Sequence, residues 1–124
     1  MNEQKRTYRQ NIGAKAEAFA QKHLTDKGFI ILRRNYSVHN VGEIDIIAEK
    51  GSDIHIVEVR TRLNIGYYPD SAESVVRAKR NRVIRTARHF VMENDLYDKN
   101  LVFEVAMVTH DKQGNIQRID FVPF

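Results

Sequence analysis

The chain has 124 residues, 42% hydrophobic and 29% charged, with a net charge of +4 and no cysteine. That length allows one domain with one core, burying roughly two thirds of its unfolded surface, and the lack of cysteine excludes disulfides and thiolate metal sites. No apolar run approaches the roughly 20 residues a membrane span needs, and the opening MNEQKRTYRQ lacks the apolar segment of a secretory signal, so the expectation is a cytoplasmic protein without a membrane partner.

Residues 1–10 are polar and are expected to form a frayed or disordered N-terminus, leaving 11–124 as the single domain. From Asn11 the pattern becomes helical, with Ile12, Ala16, Phe19, Ala20, His23 and Leu24 forming one apolar stripe. Asn11 suits an N-cap and Gly28 a C′ position. Glu17 sits at the margin of the stripe, about 100° round from Ala16, which leaves it able to look along a sheet. Phe29 to Val38 reads as a strand in which Asn35 breaks the apolar run. Val41 to Glu49 and Ile54 to Thr61 read as two more, joined by the turn Lys50-Gly51-Ser52-Asp53. Short links favour antiparallel neighbours.

Arg62 to Asp70 has no clear period and reads as a flexible loop. Its Tyr67 and Tyr68 suit either stacking on splayed bases or packing on the domain. Ser71 to about Asn94 reads as a long helix burying Val76, Val83, Ile84, Ala87, Phe90 and Val91. Arg80 falls among these by angle, so either the core ends before it or it reaches toward something acidic. Leu101 to Thr109 and Ile116 to Val122 complete the set. The order is α-β-β-β-α-β-β, an α/β fold with one mixed sheet flanked by helices.

Between Glu73 and Glu93 there is no acidic residue, yet Arg77, Lys79, Arg80, Arg82, Arg85 and Arg88 fall there. Such a segment fits a polyanionic partner or a solvated helix face, and both readings stay open.

Two carboxylates stand inside the most apolar strands. Ile44, Ile46 and Ile47 surround Asp45; Ile54, Ile56, Val57 and Val59 surround Glu58. A buried carboxylate is costly unless a cation, a base or several donors compensate it, and a divalent metal shared by both is the least costly compensation. Glu58, Arg60 and, if the strand continues, Arg62 share one face, as do Glu43 and Asp45 on the strand before. Oxygen ligands favour Mg²⁺ or Mn²⁺ over zinc, and Mg²⁺ needs just one or two carboxylates, with a backbone carbonyl such as that of Val59 as a further ligand. Gly42 suggests a bulge or close backbone approach beside the site. Singly, each residue fits an ordinary surface ion pair; together they point to a site. His39, His55, His89 and His110 show no metal-ligand spacing with one another, His23 sits on the buried helical stripe, and no phosphate loop or nucleophile motif is present.

Gly13-x-x-Ala16-Glu17, Arg34-Asn35-Tyr36, Gly42-Glu43-Ile44-Asp45, Val57-Glu58-Val59-Arg60-x-Arg62 and Lys79 resemble the YraN-type bacterial proteins, from about Asn11 to the last strand. Those proteins are regarded as distant relatives of archaeal Holliday-junction resolvases, within the restriction-endonuclease-like nucleases. The resemblance implies the endonuclease core, with Glu17, Asp45, Glu58 and Arg60 as catalytic residues and Asp45 and Glu58 as ligands to Mg²⁺ or Mn²⁺. It implies structured or branched DNA as partner, met by Arg62, Arg77, Lys79, Arg80, Arg82, Arg85 and Arg88. Junction resolvases are dimers, which admits a homodimer here. Ile44 replaces the signature proline, Ala16 stands where glycine is usual and Glu104 where aspartate is. Arg60 replaces the signature lysine: it keeps the positive charge and cannot serve as a base. Three functions stand at this point: a metal-dependent endonuclease, a nucleic-acid-binding module with weak or no turnover, and a protein-interaction domain.

Overall fold

The computed structural model describes residues 8–66 and 79–124. Helix α1 (Tyr8–Asp26) leads into strands β1 (Ile30–Val38), β2 (Gly42–Lys50) and β3 (Asp53–Leu63); helix α2 (Arg80–Asn94) precedes β4 (Asn100–His110) and β5 (Ile116–Pro123). The strands form one sheet in the order β1-β2-β3-β4-β5. β3 and β4 run parallel and every other neighbouring pair antiparallel. The mixed sheet matches expectation, and its parallel pair follows from the crossover through α2. Helix α1 starts at Tyr8 rather than after Asn11. The Tyr8 hydroxyl donates to the Lys112 carbonyl, tying the helix start to the β4–β5 turn. The expected loop's Tyr67 and Tyr68, and the expected helical residues 71–78, lie outside the described residues. No helix among the described residues is long and apolar enough to cross a membrane.

The two helices cover opposite faces of the sheet. Along β3 the parity is clean: Ile54 and Ile56 pack with Val83, Ala87 and Phe90 of α2, while Val57 and Val59 pack with Ala16, Ala20 and Leu24 of α1. Each fully buried isoleucine or valine contributes about 1.5–3 kcal/mol relative to exposure. The α1 contact row has a spacing of four residues, and its alanines let the helix lie close to the strands. Phe19, expected in that row, stands off it and is 38% exposed. His23 is partly exposed and stacks on Phe121 at 5.4 Å.

Both helices end on the same device. At the end of α1 the Gly28 N–H donates to the Thr25 carbonyl and the Phe29 N–H to Leu24, with Gly28 at φ +92°. This is the Schellman pattern, expected from Gly28, and it packs Phe29 back toward the core. At the end of α2, Asp95 (φ 52°) takes the corresponding place, its N–H donating to Met92 and that of Leu96 to Val91.

One irregularity positions the site. Ile44 and Ile46 should share a face, yet Ile44 packs on the α2 side and Ile46 on the α1 side. The turnover falls at Asp45. On β1, Arg34 pairs with Ile46 and Tyr36 with Ile44, so the residue opposite Asp45 is Asn35, which adopts φ 51°. Asparagine tolerates this left-handed conformation better than most residues. Both strands of the hairpin therefore break step at one level, which corrects the expected unbroken β2.

Candidate active site

β2 and β3 pair from Lys50 with Asp53 up to Ile46 with Val57. The next step would set Asp45 against Glu58, and there the ladder stops. The Val59 N–H instead donates to Asp45 Oδ2 at 2.8 Å. A carboxylate thus replaces a backbone carbonyl at the point where β2 turns away, and the two acids are left at the head of a cleft between the strands.

That cleft is a cavity of about 240 Å³ lined by Gly42, Glu43, Asp45, Glu58 and Arg60 from the sheet, and by Lys79, Arg82 and Val83 from the start of α2. Helix α2 comes this close because residue 42 has no side chain. A Cβ there would lie 2.7 Å from Thr86 Oγ1 and 3.5 Å from the Arg82 carbonyl. Thr86 is fully buried, and its hydroxyl donates to Arg82 O at 2.8 Å. Gly42 is the close approach its sequence context suggested, while Thr86 was missed; the clue was the glycine itself, which demands a neighbour.

The electrostatics are those of charges withheld from water. Burial pushes the Glu58 carboxyl up to about 7, and the negative Asp45 beside it adds to the rise. The Arg60 guanidinium, the Asp45 backbone N–H and Lys79 pull the other way. Glu58 is 7% exposed; its Oε2 lies 3.5 Å from Arg60 Nη2. Its Oε1 is buried without a hydrogen-bond partner among the described residues, as is Arg60 Nε. Burial also raises Asp45, opposed by the Val59 N–H, Arg60 and Lys79. Glu17, half-buried on α1, is raised first by burial and then by the negative charges of Asp45 and Glu43. The helix-borne acid thus feels the charge of the strand acids, yet it does not line the cavity that holds Asp45 and Glu58.

The donor set suits a hard cation. Among the described residues no group of three or more His, Cys, Asp or Glu side chains has metal-holding spacing. The candidate ligands are two carboxylates, the number Mg²⁺ ordinarily takes while keeping several waters. The unpartnered Glu58 Oε1 is the atom such an ion would satisfy.

The basic residues divide. Lys79 and Arg82 line the carboxylate cavity. Arg85 and Arg88 line a separate groove of about 370 Å³ with Asn40, Val41, His89 and Met92. Arg80 begins α2 exposed and lines neither. Arg62 shares the strand face of Glu58 and Arg60 yet turns to β4 and β5, its Nε donating to Thr109 Oγ1 at 3.2 Å and its Nη2 lying 3.8 Å from Asp120. Arg77 lies outside the described residues. One contact was not foreseen from the sequence: Glu104 Oε1 meets His55 Nδ1 at 2.6 Å across the parallel β3–β4 seam.

Residues 16–122, which contain the whole described cavity, match the model of a family described as "Uncharacterised protein family UPF0102". A UPF0102 protein of Dictyoglomus turgidum is 37% identical over 112 residues, covering 90% of this chain and 93% of that one. A UPF0102 protein of Persephonella marina is 36% identical over 106 residues, covering 85% and 89%. Two solved structures are similar in outline. An fdxN element excision controlling factor protein from Anabaena variabilis has a TM-score of 0.43 at 18% identity, covering 84% of this chain and 96% of that one. An XisH family protein from Nostoc punctiforme has a TM-score of 0.43 at 17% identity, covering 84% and 97%. At that similarity nothing about the site carries across. By its family match and its relatives, this chain belongs to the UPF0102 family, the YraN-type proteins its motifs resemble.

Proposed function

We propose that this protein binds nucleic acid and hydrolyses phosphodiester bonds with a divalent cation held by Asp45 and Glu58. The observation that carries the reading is the buried Oε1 of Glu58, without a hydrogen-bond partner among the described residues, in one cavity with Asp45, Arg60 and Lys79. An acid with a pKa pushed to about 7 and a buried oxygen that accepts no hydrogen bond from the described residues is poorly explained by stability. A bound Mg²⁺ or Mn²⁺ would supply an activated water and neutralise charge on the phosphate.

The chain's own residues would do the rest. Asp45, fixed by the Val59 N–H, presents its remaining lone pairs without rotating. Arg60 and Lys79 bring positive charge to the cavity and stabilise charge developing on the phosphate oxygens. Arg82 extends that field to the mouth of the cleft. Arg60 stays protonated, so it holds the phosphate and takes no proton.

The test is incubation of purified protein with branched and linear DNA plus Mg²⁺ or Mn²⁺. Cleavage should appear with the wild type and vanish in the Asp45→Ala, Glu58→Ala double variant. Cleavage that survives in that variant comes from a contaminant. A nucleic-acid-binding module without turnover is the second reading, favoured by Arg60 at the signature lysine's place. It keeps salt-dependent binding and shows no product with either metal.

A further inference from the structure

The groove of Arg85 and Arg88 adjoins the carboxylate cavity, separated from it by the step between Val41 and Gly42. Resting on the function proposed above, we propose that this groove seats an unpaired nucleotide next to the phosphate held in the cavity, so that the substrate is a strand with single-stranded character there.

Its walls differ from those of the cavity. Val41 and Met92 give an apolar surface, His89 a ring, and Arg85 and Arg88 two cations. Met92 is 57% exposed, an apolar side chain held open to solvent. Arg82, Arg85, His89 and Met92 recur at three- and four-residue intervals, so they form one stripe along α2, running about 15 Å from the cavity at the helical rise. Among the described residues Arg85 and Arg88 have no ion-pair partner, whereas Arg60, Arg62 and Arg118 each have an acid within 4 Å. The nearest acid on the helix, Glu93, is occupied: the Tyr36 hydroxyl donates to its Oε1 at 2.5 Å. Positive charge in the groove is thus left uncancelled by the described residues.

Cations beside an apolar, ring-bearing surface are how proteins hold single strands, phosphates on the cations and bases on the surface. A paired base keeps its faces in the stack and leaves such a surface empty. A volume of about 370 Å³ suits a single nucleotide rather than a duplex.

Fluorescence anisotropy in EDTA, which removes cleavage from the measurement, tests this. The probes are a labelled oligothymidylate and a blunt duplex of equal length. The wild type should prefer the single strand. A His89→Ala, Met92→Ala variant, which alters no arginine, should lose about tenfold in affinity for it and leave duplex binding unchanged. An Arg85→Ala, Arg88→Ala variant should weaken both probes and lower the single-strand salt slope by about 1.4, or 0.7 per lost contact. Equal wild-type binding of the two probes, or single-strand binding unchanged in the His89/Met92 variant, overturns the proposal. Cleavage assays separate the two readings: groove-dependent binding without any metal-dependent product defeats hydrolysis alone, and cleavage indifferent to the groove variants defeats the groove alone.

Discussion

Gly42 and Thr86 are in such close contact that a methyl group on the glycine would sit 2.7 Å from the threonine hydroxyl. The contact fixes the separation between helix α2 and the acid-bearing end of β2. It thereby sets how near Lys79 and Arg82 stand to Asp45. Gly42→Ala should cost about 1–3 kcal/mol by overpacking. Thr86→Ala in the same chain should recover most of that loss, because it removes the atom that is struck. Chemical denaturation of the two single variants and the double variant gives the coupling; strictly additive losses would show that the helix simply moves away.

Glu58 makes stability depend on pH in an unusual direction. Its folded-state pKa, about 7, exceeds the ordinary 4.5. The folded chain therefore retains a proton that the unfolded chain releases between those values, and stability falls as pH rises through that window. The shift corresponds to about 3 kcal/mol. Glu58→Gln should melt several degrees above the wild type at about pH 8, with the gap closing below about pH 4.5. Excess Mn²⁺ at the higher pH should raise the wild-type melting temperature and leave the variant where it was. A wild type equally stable at both pH values would show that the burial cost is absent.

Asp45 has two duties that substitution separates. Asparagine keeps an acceptor for the Val59 N–H, and alanine strands that donor. Asp45→Ala should cost about 1–3 kcal/mol more than Asp45→Asn, while both remove Mn²⁺ binding followed by calorimetry. If both variants bind Mn²⁺ as the wild type does, Asp45 is not a ligand.

Asp95 holds a left-handed conformation away from the site, at φ 52°. Asp95→Gly should stabilise the chain by roughly 0.5–1 kcal/mol, since glycine carries no Cβ penalty at that position. Activity should be unchanged. A loss of stability would mean that the Asp95 side chain contributes something its backbone geometry does not reveal.

The two acids were legible because ionisable groups inside isoleucine- and valine-rich strands demand an explanation, and the turn between them limited their register. The order of elements was legible for the same reason: each strand's apolar run ends at polar or glycine-bearing turns such as Lys50–Asp53. The broken step at Asp45 was not, since a period of two assumes an unbroken pleat. Asn35 was its trace, noticed only as an interruption. Nor did the helix reveal that Arg82 and Arg85, neighbours on one face, serve different hollows; that depends on Val41 and Gly42 opposite them. The His55–Glu104 contact was equally hidden, because the parallel seam joins residues far apart in the chain.

The Val59 amide is held by a side chain rather than by a strand. Its exchange with deuterium is therefore gated by one carboxylate's departure, not by fraying of the sheet. Whatever draws on the Asp45 oxygens, a proton or an ion, will shift this amide's NMR resonance and change its exchange rate. The molecule carries its own reporter of site occupancy, readable without a substrate and without a turnover.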